Sequence, residues 1–132
     1  MGIQVQGTAA VNGTVTCMAR IVGHSGEAIT LADIAAIAYT IYLIPDPPAS
    51  GERAAVDGHE AVAVAVADAM LAALTVPAAW TDDSTGVNFL HTIPIVSAAA
   101  FALPRRQYAV DYTLTPTSGQ PIVATFLVRT LH

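Results

Sequence analysis

The chain contains no lysine; its five basic residues are Arg20, Arg53, Arg105, Arg106 and Arg129. That absence removes lysine Schiff-base chemistry and lysine cross-links. It leaves cations whose planar guanidinium favours bidentate contacts and tolerates interfaces. Charge of either sign is scarce. Charged residues make up 11% of the chain, against about 25% in an average soluble domain. A free monomer normally needs surface charge for solubility, so much of this surface is expected to face other subunits rather than water. Alanine supplies the competing explanation, because it raises the hydrophobic count yet sits on surfaces without penalty. The net charge of −5, with Arg105 and Arg106 as the one basic pair, argues against a nucleic-acid partner, which needs clustered positive charge.

Cysteine is limited to Cys17, which excludes an internal disulfide. It falls in an alternating run and reads as a small buried hydrophobe. Long apolar runs are missing too. The longest stretch free of Asp, Glu, Lys and Arg, residues 84–104, holds Gly86, Asn88, His91, Pro94 and Ser97 and reads as two short elements, not a membrane helix. The Ala-rich run at 61–76 is broken by Asp68. Residues 1–6 have neither the positive charge nor the apolar segment of a signal peptide. No membrane partner is expected.

What is present is β patterning. A length of 132 residues suits one domain, 1–132, able to bury roughly two-thirds of its unfolded surface without a disulfide or metal. Residues 13–22 alternate Val15, Cys17 and Ala19 with Thr14, Thr16 and Met18 and predict a strand. Gly23 to Gly26 reads as a turn. Thr30 with Asp33 makes a capping box, so 31–35 is predicted as one helical turn. Residues 36–44 put Ile37, Tyr39, Ile41 and Leu43 on one strand face. A polar, proline-rich loop follows at 45–53, where prolines stop the strand. At 60–66 valines and alanines alternate as in a strand. The period then changes, and Met70, Leu71 and Leu74 fit a short helix over 67–74 ended by Pro77. One Ala-rich helix over 60–76 is the alternative. Further strands are predicted at 87–94 and at 106–115, the latter with Tyr108, Val110, Tyr112 and Leu114 on one face. A short edge strand or extended loop is expected at 98–103. A turn at 116–121 leads to the last strand, 122–131, in a hairpin with its predecessor. Strands and turns at this spacing, with one or two short helices, predict a mainly β fold: an antiparallel β-sandwich, Ig-like or jelly-roll-like.

Templates for chemistry find few partners. The histidines, His24, His59, His91 and His132, are too dispersed for zinc-ligand spacing. The best local cluster, Asp57, His59 and Glu60, reads as a solvated turn. The acidic loop with Asp82, Asp83 and Gly86 lacks the alternating ligands of a calcium loop, and Asx turns explain the same residues. No Gly-x-Ser-x-Gly is present, and Ser25 beside His24 has no orienting carboxylate. Asp33, Asp68 and Asp111 are carboxylates from which no pair stands out. The triplet at Asn12 matches a glycosylation pattern without further support. No enzyme, metal or cofactor is expected. Trp80, Tyr39, Tyr42, Tyr108 and Tyr112 could form a sugar platform, but strand positions favour core roles for most of them. Tyr42, opposite in parity to Tyr39 and Ile41, is the best outward aromatic.

The segments 29–42, 80–89 (Trp80-Thr-Asp-Asp-Ser-Thr-Gly-Val-Asn-Phe89), 108–112 and the 115–119 hairpin resemble small β-sandwich virion structural proteins of bacteriophages and prophage-like elements. These are head decoration proteins and tail-fibre or baseplate attachment domains. Val87 stands where an aromatic is expected in that pattern. The resemblance implies a non-catalytic structural subunit of a virion, assembled in the host bacterial cytoplasm, with copies of itself and other virion proteins as partners. A homo-oligomer, trimer or higher, follows from particle symmetry. A carbohydrate-binding β-sandwich module is the alternative. The interface candidates are Tyr42, Pro45, Asp46, Pro47, Pro48, Arg53, Arg105 and Arg106, together with the two termini.

Overall fold

A computed structural model describes residues 2–23, 26–47, 51–77, 80, 84–95 and 98–131, the first strand by its backbone alone. In chain order the strands are β1 (Gly2–Ala9), β2 (Thr16–Ala19), β3 (Ile34–Leu43), β4 (Ala54–Ala55), β5 (Val62–Val64), β6 (Met70–Thr75), β7 (Val87–Thr92), β8 (Gln107–Pro116) and β9 (Ile122–Thr130). A single 3-10 turn (Leu31–Asp33) precedes β3, and a four-residue helix, α1 (Val66–Ala69), precedes β6. The larger sheet runs β1-β9-β8-β3-β4, with β5 also on β3; the smaller runs β2-β7-β6.

The alternation read from sequence decides which face is buried. Ile37, Tyr39 and Ile41 of β3, Tyr108, Val110, Tyr112 and Leu114 of β8, and Ala124, Phe126 and Val128 of β9 all lie in the core. They meet Cys17 and Ala19 of β2, Met70 of β6 and Phe89 of β7. Rings cross between the sheets. Phe89 stands edge-on to Tyr112 at 4.8 Å and stacks on Phe126 at 5.9 Å, and Tyr39 meets His91 at 5.7 Å. The chain is therefore mainly β and sandwich-like, with full burial of each such ring worth about 1.5–3 kcal/mol. Pairing is antiparallel except at one edge, where β1 runs parallel to β9.

The capping box forms as the sequence indicates: the Asp33 carboxylate accepts hydrogen bonds from the Thr30 N–H at 2.9 Å and the Thr30 hydroxyl at 3.1 Å. The turn is shorter than predicted, because Ile34 already begins β3. The region 60–76 needs a larger correction. Val62–Val64 pairs with Ile37–Tyr39, which rules out one long helix. The short helix ends at Ala69, and Met70, Leu71 and Leu74 belong to β6 instead. Helix propensity is a weak prior that tertiary context overrides. Here the override is Met70, which is buried opposite Phe89 of β7, while no side chain caps the helix start. Residues 98–103 form an extended loop that buries Ala100 and Phe101, the ring of Phe101 lying edge-on to Tyr108 at 5.3 Å.

Among the described residues, no helix is long and apolar enough to cross a membrane.

Candidate interaction surface

Two groups of side chains bring chemistry together: a polar cluster inside the sandwich and a surface cluster where the β3–β4 loop meets β8. The inner cluster is built by inward positions of β2, β3, β7 and β8 together with His59 of the loop before β5. Tyr39 of β3 is hydrogen-bonded to Nδ1 of His59 at 2.9 Å, and Nε2 of His59 lies 2.9 Å from the Ala98 carbonyl. A carbonyl only accepts, so Nε2 donates to Ala98, and in the tautomer protonated there alone Nδ1 accepts from the Tyr39 hydroxyl. His59 is thus buried, not part of a solvated turn as its neighbours Asp57 and Glu60 suggest. It ties the loop before β5 to the loop at Ala98. Sequence alone missed this, since the pull comes from Tyr39, twenty residues earlier and across a strand.

On the next pair of strands Nδ1 of His91 meets the Tyr112 hydroxyl at 2.7 Å. Burial pushes the Cys17 thiol up to about 12, a hydrogen bond with Tyr112 opposing it. Burial also raises Tyr39 and Tyr112 and lowers His91, whose shift the Asp68 carboxylate partly offsets. These groups are neutral, enclosed and mutually satisfied, which is the arrangement of a polar core network. Among the described residues, no three His, Cys, Asp or Glu side chains are grouped as a metal site requires.

The surface cluster gathers several interface candidates. Tyr42 faces outward from β3, as its parity indicates, and the Arg53 guanidinium lies 4.3 Å from its ring centroid. Arg53 also pairs with Asp111 of β8 at 3.0 Å, and the Thr125 hydroxyl donates to the other Asp111 oxygen at 2.9 Å. Arg106 donates from Nη2 to the Ile44 carbonyl at 3.0 Å, and the Ile44 N–H donates to the Gln107 carbonyl at 3.0 Å. These bonds fasten the start of the proline loop, Pro45 to Pro47, beside Arg106 at one end of the larger sheet. Arg105 sits next to it, exposed, with a left-handed φ of 52°. Pro48, Asp82, Asp83, His24, Ser25 and both terminal residues lie outside the described residues. Asp111 is the member that strand-by-strand reading could not place, because its partnership needs the β3–β8 register that sets Thr40 opposite it.

The outward face of the larger sheet is nearly free of charge. Its outward positions on β3, β8 and β9 include Ala38, Thr40, Thr113, Thr115, Val123 and Leu127, and Asp111 and Arg129 are the charged residues among them. Of the five aromatics weighed as a sugar platform, Tyr39, Tyr108 and Tyr112 are in the core, Tyr42 is covered by Arg53, and Trp80 is half-buried. The chain matches no protein-family model, no curated protein and no solved structure.

Proposed function

We propose that this chain is a non-catalytic structural subunit of a phage or phage-like particle, a head decoration or accessory protein or a tail or baseplate component, acting through protein–protein contacts. One observation carries the contact part: the broad outward face of the larger sheet presents Ala, Thr, Val and Leu, with the Arg53–Asp111 pair and Arg129 as its charged groups. Permanent protein interfaces are apolar and poor in charge at their centre. Among the described residues, Cys17, Tyr39, His59, His91 and Tyr112 are turned inward and engaged with one another or with the backbone, which further favours a structural role. The particle part rests on the resemblance of segments 29–42, 80–89, 108–112 and 115–119 to small virion β-sandwich proteins.

Size-exclusion chromatography with light scattering tests the reading. It is run on the purified chain, then on the chain mixed with capsid and tail proteins encoded beside it. A homo-oligomer of three or more copies, or a stable complex with one of those proteins, is the expected result. A well-behaved monomer that binds none of them would overturn it.

A further inference from the structure

The two ends of the larger sheet carry different exposed side chains. At the end where β8 finishes and β9 begins, the β8–β9 turn and the segment before the 3-10 turn enclose a cleft of about 570 Å³. Val22, Ile29, Ile34 and Ile122 supply apolar lining, and Glu27 and Asp33 are the charged residues among those that line it. Asp33 is engaged with Thr30. Glu27 is exposed, and its carboxylate has no ion-pair partner among the described residues.

The opposite end is where β3 and β9 finish and β8 begins. Leu103 and Leu131, 41% and 50% exposed, are two of the few large apolar side chains left in water. They are held near each other, because Thr130 donates its hydroxyl to the Leu103 carbonyl at 2.6 Å and Leu131 follows Thr130. Arg105 stands beside them. Arg20, Arg53 and Arg106 are each bonded within the chain, whereas the Arg105 and Arg129 side chains make no such bond among the described residues.

A cleft with apolar and acidic lining at one end thus lies opposite exposed leucines and an exposed arginine at the other. The geometry points to head-to-tail self-association, in which Leu103, Arg105 and Leu131 of one copy seat in the Glu27 cleft of the next. The occupant is a second copy because the two complementary halves are carried by one chain. The cation gains a carboxylate that the described residues of its own copy do not provide, and the leucines leave water. Contacts of this heterologous kind close into a ring when the rotation between copies permits, in keeping with an oligomer of three or more. The inference rests on the subunit reading above and specifies its geometry.

Sedimentation velocity of the full chain over a concentration series comes first, followed by R105E, E27R and an equimolar mixture of the two. Both side chains are exposed, so both variants are expected to fold. Each reversal sets like charges against one another and weakens self-association by at least about tenfold. The mixture restores it, because each variant then meets an opposite charge. A second measurement needs no particular affinity. E27C and R105C copies are mixed and oxidised, Cys17 being buried and unreactive. A 27–105 disulfide between copies is expected. Self-association that survives both reversals, or 27–27 and 105–105 disulfides in its place, overturns the head-to-tail geometry and leaves the subunit reading standing. A chain that stays monomeric at every concentration overturns the geometry and the self-packing half of that reading together.

Discussion

The two sheets are held together by different means. In the larger one, β3, β8 and β9 pair over long continuous registers, Tyr39 opposite Tyr112 and Val110 opposite Phe126. Many equivalent backbone bonds share the load there. In the smaller one, β2 pairs with β7 over only Thr16 to Ala19, and β6 meets β7 at Met70 and Thr75 with a bulge between. What the ladder does not supply there, single residues do. Asn88 accepts from the Ile21 N–H and donates to the carbonyls of Ile21 and Ile29, each at 2.7 Å. Gly86 has φ +94° and passes so near β6 that a Cβ there would lie 2.2 Å from the Thr75 carbonyl oxygen. One sheet is redundant, and the other depends on particular side chains.

The comparison predicts unequal sensitivity. Asn88→Ala leaves the buried Ile21 N–H and the half-buried Ile29 carbonyl without their partner, at about 1–3 kcal/mol each, while the Ile21 carbonyl keeps the Ile29 N–H. The expected loss in urea unfolding is about 4 kcal/mol, and a loss below about 1 kcal/mol would show that the short ladder suffices without Asn88.

An intermediate effect is expected at the seam between the sheets, where His91 of β7 meets Tyr112 of β8. The neutral ring is favoured by burial more than the charged ring is by Asp68, so its folded pKa lies below the ordinary value near 6.5. The unfolded chain therefore takes up the proton first. The stability that neutral His91 contributes is complete above about pH 6.5 and is lost as the pH falls through that value towards the folded one. Cys17, Tyr39 and Tyr112, its other close titratable neighbours, remain uncharged over this range. Urea midpoints should fall between pH 7.5 and 5.5, and His91→Gln should show a shallower fall. Equal slopes in the two proteins would remove His91 from the seam's pH response.

The smallest effect is expected on the outer face of the larger sheet. Arg53 is 47% exposed at its ion pair with Asp111, and exposed pairs contribute about 0–1 kcal/mol. Arg53→Ala should therefore shift thermal unfolding very little. A loss matching that of Asn88→Ala would mean that the larger sheet too hangs on single side chains.

The same contrast explains what could be read from sequence. Strands β3, β8 and β9 were legible because each alternates over nine or ten residues, and Tyr42 was placed outward by parity alone. The strand β6 was not, because Met-Leu-Ala-Ala-Leu-Thr carries no alternation and favours helix; only its buried contact with Phe89 makes it a strand. The strand β1 offers just Ile3 and Val5 between Gln4 and Gln6, and its partner is far along the chain. At the surface, the arginine-and-proline end was legible as a set of residue types. The cleft opposite was not, because it is formed by two turns that come together only when the sheet is built.

The parallel edge pair bears on how the protein is made. Gly2 is opposite Val123 and Ala9 opposite Thr130, so β1 leaves the ribosome well before β9 and waits for it before the two can pair. The β8–β9 hairpin is local and can close early, whereas the β1–β9 pair joins segments more than a hundred residues apart and closes late. Until β9 emerges the growing chain carries β1 unpaired, and that interval is when a neighbouring nascent copy could pair with it instead.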